Sequence, residues 1–293
     1  MKSRLFEGAA TALITPFSDG GVDYDSFERI VERQLECGIE ALLFVGTTGE
    51  APTLTDKEKK DIYQFAAETV RGRALVICGT ATNSHQKTME LSEAALRSGA
   101  DALLCVSPYY NKGTQRGVER VYRDVCSLGL PVILYNIPSR SGVDIGLEML
   151  DRLSDEEDLV GIKECVGAGR IQEQKIRYGD RYSIYSGNDA ELLCALAVGA
   201  NGIVSVLSNL YPREVSAICK LFSEGKIIEA RRLHFALSGM HSLLFCETNP
   251  APVKYALSSL GLCENSLRLP LCEIDDTLAE KIDKEMKKIE QNI

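Results

Sequence analysis

Residues 41–62 read ALLFVGTTGEAPTLTDKEKKDI, an apolar run followed by a glycine-containing turn and an amphipathic stretch. The run at 41–45 is apolar on both alternating faces, as expected of a strand covered on both sides. Thr55 and Glu58 have the spacing of a capping box, and Ile62 lies on the apolar stripe that follows. The stretch therefore predicts one β-loop-α unit of a parallel sheet wrapped by helices.

The same unit recurs along the chain. Phe27, Ile30 and Val31 form the apolar face of a helix that ends near Gly38. Eight units match a (β/α)8 TIM barrel of about 250 residues or fewer, whereas the alternative, an open doubly wound sheet, typically has fewer strands. The predicted strands are 9–14, 41–45, 75–79, 102–106, 132–135, 159–163, 182–185 and 202–206.

Only helical patterns follow Pro212. One helix is predicted after Asn249 and Pro250, and the last carries Leu278 and Ile282 on a continuous apolar stripe. The sequence thus predicts a catalytic barrel over residues 1–224 and a C-terminal helical domain over 225–293, packed against each other.

The composition is that of an ordinary globular enzyme, with 293 residues of which 45% are hydrophobic. A net charge of -9 without a basic patch argues against a nucleic-acid partner. No apolar run approaches the roughly 18 residues that cross a bilayer, and residues 1–7 contain no hydrophobic signal core. A cytoplasmic location without a membrane partner is therefore expected.

Metal and cofactor chemistry is not indicated. His85, His234 and His241 fall in helical patterns rather than at strand ends, and the 10 cysteines contain no C-x-x-C pair. Neither the turn at 46–50 nor the glycines at 167–169 complete a nucleotide-binding motif. We expect no cofactor and no metal ion.

A lysine ends the sixth predicted strand. Barrel active sites lie at the C-terminal ends of the strands, and Lys163 stands there among apolar neighbours. Burial lowers the pKa of an amine from about 10.4, and a neutral amine can form a Schiff base with a ketone. The alternative is a lysine that extends to solvent at the barrel rim.

Other strand ends carry polar side chains. The turn at 46–50 presents backbone amides and the hydroxyls of Thr47 and Thr48 toward an anion, although an ordinary capped turn has the same pattern. Tyr135 can transfer protons, and Arg140 can bind a carboxylate in a bidentate manner. The alternative for this pair is a packed tyrosine and a surface arginine.

Five motifs carry a resemblance to a known family: GTTGE at 46–50, YNIPSR at 135–140, GIKE at 161–164, GIVSV at 202–206 and ETNPAPVK at 247–254. Their order and spacing, over the whole chain, resemble the dihydrodipicolinate synthase family. Its superfamily also contains N-acetylneuraminate lyase and sugar-acid aldolases, all of which use pyruvate through a lysine. At two positions the sequence resembles the synthases rather than the sialate lyases. Thr47 precedes Thr48 where sialate lyases usually have Ser-Thr, and Arg140 stands where they usually lack an arginine.

The resemblance implies a lyase that condenses pyruvate with L-aspartate 4-semialdehyde to give 4-hydroxy-tetrahydrodipicolinate, in lysine and diaminopimelate biosynthesis. By this resemblance, Lys163 of this sequence would form the imine and Tyr135 would transfer protons. Thr47 and Tyr110 would complete a proton relay. Substrate contacts would come from Thr48, Val204, Arg140 and Gly187.

The resemblance also implies an assembly and a regulatory property. Tyr110 would enter the neighbouring subunit's site across a tight dimer interface, within a homotetramer that is a dimer of dimers. Lysine-sensitive members place an acid where Lys87 stands, and often histidines where Asp56 and Lys59 stand. Weak or absent lysine inhibition is expected because a cation at Lys87 repels the effector's ammonium.

Two alternatives to the synthase stay open at this point. One is a sibling pyruvate aldolase for another aldehyde, of the N-acetylneuraminate lyase or sugar-acid type. The other is a non-catalytic barrel that binds a carboxylate, which has no need of a desolvated amine beside a phenol. Cys165 would share the face of Lys163 if the sixth strand continued, and a structural role is expected for this thiol.

Overall fold

Eight parallel strands close into a barrel in the computed structural model, which describes residues 5–293. The strands are β1 Gly8–Ala12, β2 Ala41–Phe44, β3 Leu75–Gly79, β4 Ala102–Val106, β5 Val132–Asn136, β6 Leu159–Glu164, β7 Ser183–Ser186 and β8 Gly202–Ser205. Each strand pairs with its neighbours in the chain, and β1 pairs with β8 to close the ring. The barrel prediction is confirmed and the open sheet is wrong. Residues 1–4, on which the location and domain predictions partly rest, lie outside the described residues.

Helices follow the strands and cover the outside of the barrel. They are α1 Tyr24–Glu36, α2 Asp56–Val70, α3 His85–Ser98, α4 Gln115–Cys126, α5 Pro138–Ser141, α6 Leu147–Arg152, α7 Ala168–Tyr178, α8 Leu192–Ala197, α9 Pro212–Ser223, α10 Ile227–Ala236, α11 Ser238–Leu243, α12 Ala251–Ser259 and α13 Asp276–Glu290. Short 3-10 turns lie at Ala51–Thr53, Asp189–Glu191 and Leu207–Asn209, and a small hairpin pairs Phe17–Ser18 with Gly21–Val22. The capping box predicted at Thr55 is present at the start of α2.

The second strand ends one residue earlier than predicted. Val45 adopts a left-handed backbone with φ of 56°, which is unusual for a β-branched residue and ends the extended conformation at Phe44. Its carbonyl oxygen lies against Gly79, where a Cβ would overlap it. Glycine at the end of β3 therefore makes room for the bend that directs residues 46–50 over the barrel. The other strand bounds agree with the prediction to within two residues.

Apolar side chains fill the inside of the barrel. Leu43, Ile133 and Val204 belong to a buried interior cluster, and Phe6 stacks on Tyr185 with ring centroids 4.0 Å apart. A larger cluster fills the space between the strands and the helices. Because the interior is packed, we expect a substrate to bind above the C-terminal ends of the strands rather than inside the barrel.

Five helices follow residue 211, as the sequence predicts. Leu278, Ile282, Met286 and Ile289 are buried along one face of α13, which confirms the predicted stripe. None of the helices described between residues 5 and 293 has the length and apolarity that a membrane crossing requires.

Candidate active site

Lys163 lies on β6, in register with Tyr135 on β5 and Tyr185 on β7. Its side chain is 6% exposed, and within residues 5–293 its amine has no hydrogen-bond or ion-pair partner. Nζ stands 4.4 Å from the centroid of the Tyr135 ring. Burial lowers the pKa of the amine, because the protonated form loses its hydration. A larger neutral fraction is what a nucleophilic amine requires.

Tyr135 is the phenol beside this amine. The Thr47 hydroxyl and the Cys165 thiol lie against its hydroxyl group, and burial raises the pKa of the phenol well above its usual range. Tyr135 therefore stays protonated at neutral pH and can give a proton to an oxygen that leaves or develops charge next to Lys163. Lys163, Tyr135 and Thr47 are thus brought together as the sequence predicts.

The turn at 46–50 is held in an unusual conformation. Glu50, at the end of the turn, has a left-handed φ of 54°, and Val45, just before the turn, has one of 56°, so both flanks of the turn are constrained. Thr48 is 3% exposed, and its Oγ1 accepts a hydrogen bond of 3.0 Å from Nδ2 of Asn249. The Glu50 carboxylate is ion-paired with Lys254 of α12, and both side chains are fully buried. Contacts from the C-terminal helices therefore fix the turn.

Arg140 lies on the short helix α5 at the mouth of the site. Its Nη2 donates a 3.4 Å hydrogen bond to the carbonyl oxygen of Asn249, while the rest of the guanidinium is exposed. Together with Thr47, Tyr109 and Tyr135 it lines a cavity of about 210 Å³. A cation at this mouth suits a substrate that carries a carboxylate.

Gly187 and Val204 lie on neighbouring parts of the barrel, and Gly187 is close to Lys163. Val204 is 1% exposed on β8 within the interior cluster. Gly187 follows β7 and donates its N–H to the Glu164 carbonyl at 2.8 Å. A Cβ at Gly187 would overlap the Cys165 sulfur and lie 3.1 Å from Cε of Lys163. Because Gly187 has no side chain, the backbone at this position can lie close to the Lys163 side chain.

Tyr110 is the one predicted site residue that the structure leaves apart from the others. It is 88% exposed, its φ is 72°, and it does not line the cavity of its own chain. The preceding Tyr109 lines that cavity instead.

Two buried carboxylates support the site and were not predicted. Asp189 accepts hydrogen bonds from the Ser205 hydroxyl at 2.5 Å and from the Val206 and Leu207 amides at 3.0 and 3.1 Å. These contacts fix the end of β8 beside Val204, and burial raises the pKa of Asp189. The available signal was an acid three residues after the seventh strand.

Glu164 is the second of these carboxylates. It points to the opposite side of β6 from Lys163, because successive strand residues alternate. Asn136 and Gln174 donate hydrogen bonds of 3.1 and 2.7 Å to it, and the Val166 amide donates one of 2.8 Å. These hydrogen bonds fix the end of β6, which carries Lys163. Asn136 lies on β5 and Gln174 on α7, and no local sequence pattern links either residue to Glu164.

Cys165 faces the site although β6 ends at Glu164. Burial raises the pKa of its thiol to about 11, so the thiol is almost entirely protonated at neutral pH. We expect iodoacetamide at neutral pH to leave Cys165 unmodified while the exposed cysteines react, as peptide mass spectrometry would show. Labelling of Cys165 as fast as that of Cys194 would contradict a structural role.

The three histidines lie on α3, α10 and α11, as the sequence indicates. Within residues 5–293, His, Cys, Asp and Glu side chains form no group of three or more placed to hold a metal ion.

Comparison with known proteins gives a consistent result. Residues 5–289 match the model of the dihydrodipicolinate synthetase family. The 4-hydroxy-tetrahydrodipicolinate synthase of Fervidobacterium nodosum is 43% identical over 289 residues, covering 97% of this chain and 99% of that protein.

Solved structures agree with this relationship. The 4-hydroxy-tetrahydrodipicolinate synthase from Methylacidiphilum fumariolicum SolV superposes with a TM-score of 0.96 at 41% identity, covering 98% of this chain and 97% of its own. A structure described as the first monomeric dihydrodipicolinate synthase variant gives 0.94 at 37% identity, with 98% and 97% coverage. With a matching family model over nearly all of its length, the chain belongs to the dihydrodipicolinate synthetase family.

Proposed function

We propose that this chain condenses pyruvate with L-aspartate 4-semialdehyde to give 4-hydroxy-tetrahydrodipicolinate, a step of lysine and diaminopimelate biosynthesis. The observation that carries the proposal is the buried, unpaired amine of Lys163 at 4.4 Å from the Tyr135 ring centroid. A carboxylate-binding barrel without activity has no use for this pair. Family membership and the names of the relatives support the same reaction.

The reaction follows from the groups in the site. The Lys163 amine adds to the ketone carbon of pyruvate, and protonation of the resulting hydroxyl by Tyr135 lets water leave as the imine forms. Loss of a methyl proton gives the enamine, whose carbon attacks the aldehyde of the second substrate. The amine of that substrate then displaces Lys163 as the ring closes. Lys163 is released unchanged and supplies the electron sink by itself.

Substrate recognition is assigned to the residues around the amine. Thr48 and the backbone at Val204 hold the pyruvate carboxylate and enamine, Gly187 lines the pocket, and Arg140 binds the carboxylate of the semialdehyde. A guanidinium at the mouth favours this acceptor over a polyhydroxylated sugar, which needs neutral hydrogen-bonding groups. The position of Arg140 therefore favours the synthase over a sialate-lyase or sugar-acid aldolase activity.

A coupled assay tests the proposed function. Purified protein receives pyruvate and L-aspartate 4-semialdehyde, and the downstream reductase reports product as pyridine-nucleotide oxidation. We expect rapid turnover that needs both substrates. Consumption of pyruvate with a neutral sugar aldehyde in place of the semialdehyde, and none with the semialdehyde, would refute the assigned acceptor.

We further propose a homotetramer that is a dimer of dimers, with Tyr110 completing the relay of Thr47 and Tyr135 in the partner's site. The exposed ring of Tyr110 supports this arrangement, although one relative is described as a monomeric variant. Tyr110→Phe is expected to reduce kcat about tenfold to a hundredfold with the melting temperature unchanged. Wild-type turnover by Tyr110→Phe would refute the relay. Sedimentation at assay concentrations tests the assembly directly.

Weak or absent inhibition by lysine is also part of the proposal. Lys87 and Lys59 both approach Asp56, at 3.0 and 4.0 Å, so the one acid is already shared between two cations. An effector ammonium would have to compete with these two cations for Asp56 and would meet like charge. We expect millimolar lysine to leave turnover nearly unchanged, and at least half-inhibition under these conditions would contradict the prediction.

We propose that the barrel at 1–224 carries the active site. The helical domain at 225–293 is proposed to hold that site in place. The contacts of Asn249 and Lys254 with the turn at 46–50 support this view. The cytoplasm is the proposed location.

A further inference from the structure

Asn249 connects two loops of the site from the C-terminal helical segment. Asn249 is 5% exposed. Its side-chain amide contacts Thr48 after β2, and its main-chain carbonyl oxygen contacts Arg140 on α5. These contacts span 201 and 109 residues of sequence. Asn249 is therefore the point at which the C-terminal segment reaches the two candidate carboxylate-binding side chains.

The direction of the contact with Thr48 decides where the threonine proton can go. A hydroxyl has one proton to donate and two lone pairs that accept. Nδ2 of Asn249 donates to Oγ1 at 3.0 Å, so it occupies a lone pair and leaves the proton free. Within residues 5–293 the Thr48 hydroxyl donates no hydrogen bond to another side chain or to the backbone. The hydroxyl is thus held ready to donate to an added anion.

The other end of the same amide makes no hydrogen bond within the described residues, so the polar contact that this side chain makes there is the one with Thr48. Oδ1 of Asn249 is buried and has no hydrogen-bond partner within the described residues. A buried acceptor without a partner lowers stability, because it has lost its hydrogen bonds to water.

We propose that Asn249 is a positioning residue that aims the Thr48 hydroxyl at the carboxylate of the bound 2-oxo acid. It acts through Thr48 and does not itself touch the reacting atoms. The inference rests on the proposed function, in which Thr48 binds the pyruvate carboxylate.

A double-mutant cycle on the full-length protein tests the inference. Asn249→Ala is expected to raise the KM for pyruvate about fivefold to tenfold, the value of one lost hydrogen bond, with kcat and melting temperature nearly unchanged. Asn249→Asp should raise KM further, since its carboxylate would accept the Thr48 proton and repel the substrate. Thr48→Val combined with Asn249→Ala should bind pyruvate no worse than Thr48→Val alone.

A matched control is available in Asn265, whose Oδ1 is likewise buried without a partner. Asn265→Ala should leave the KM for pyruvate unchanged. Additive losses in the double variant, or a lower melting temperature with unchanged KM in Asn249→Ala, would overturn the positioning role.

Borohydride trapping of pyruvate tests the imine chemistry of Lys163 separately from the positioning role of Asn249. Wild-type protein that traps pyruvate on Lys163 while the cycle is additive would overturn only the role of Asn249. Failure of the wild type to trap pyruvate would overturn the proposed function, and the positioning role with it.

Discussion

Lys163→Met is expected to lose condensation activity by a thousandfold or more, on the order of the loss caused by removing a catalytic nucleophile. Methionine fills nearly the same space but has no amine to form the imine. Lys163→Arg should be equally inactive, because a guanidinium stays protonated and does not add to ketones. Steady-state assays with both substrates measure the effect.

The same variant should fold at least as stably as the wild type. Burial lowers the pKa of Lys163 in the folded chain, so below pH 10 the unfolded chain binds more protons at this residue. The wild type therefore gains stability as pH rises toward the ordinary lysine pKa of about 10.4, whereas Lys163→Met does not. Urea denaturation at two pH values measures the difference between the two proteins.

Lys175→Met serves as a control for Lys163→Met. Lys175 lies on α7 and pairs with Asp180 at 3.3 Å, away from the strand ends. Its replacement should leave turnover within twofold. Substantial turnover by Lys163→Met would contradict covalent catalysis through this residue.

Lys254→Met is expected to destabilise the chain by about 3–5 kcal/mol, because it leaves the buried Glu50 carboxylate without its counter-ion. Lys254 also donates to the Ser266 carbonyl at 2.8 Å and stands 4.2 Å from the centroid of the Phe17 ring. Burial lowers the pKa of Lys254, and the Glu50 charge opposes this shift. Chemical denaturation of the two proteins measures the loss.

A paired substitution isolates the charge effect in this prediction. Glu50→Gln together with Lys254→Met removes both charges, so the double variant should recover much of the stability lost in Lys254→Met. An exposed pair, Lys57 with Asp61, provides the matched control, since Lys57→Met should change stability by less than about 1 kcal/mol. A loss below about 1 kcal/mol in Lys254→Met would contradict a structural role for the buried pair.

The barrel is predictable because its signal is local and repeated. Each strand is a short run of apolar residues on both faces, and each helix has a cap or an apolar stripe, as in α2 and α13. The candidate residues could be selected because parallel strands bring their C-terminal ends to one side. Thr47, Tyr135 and Lys163 meet there for this reason.

The supporting contacts are not predictable in the same way because they join distant segments. Asp189 binds the end of β8, Asn249 reaches Thr48, and Lys254 reaches Glu50 from the C-terminal helices. No periodicity links such pairs, since each depends on how completed elements pack. The left-handed Val45 is likewise imposed by the tertiary structure against the preference of a β-branched residue.

Trapping of pyruvate shows directly whether Lys163 forms the imine. The protein is incubated with pyruvate and borohydride, digested, and the modified peptide is identified by mass spectrometry. We predict one carboxyethyl group per chain, on Lys163, and none in Lys163→Met. An unmodified Lys163, or the same group on another lysine, would contradict the assignment of Lys163 as the imine-forming residue.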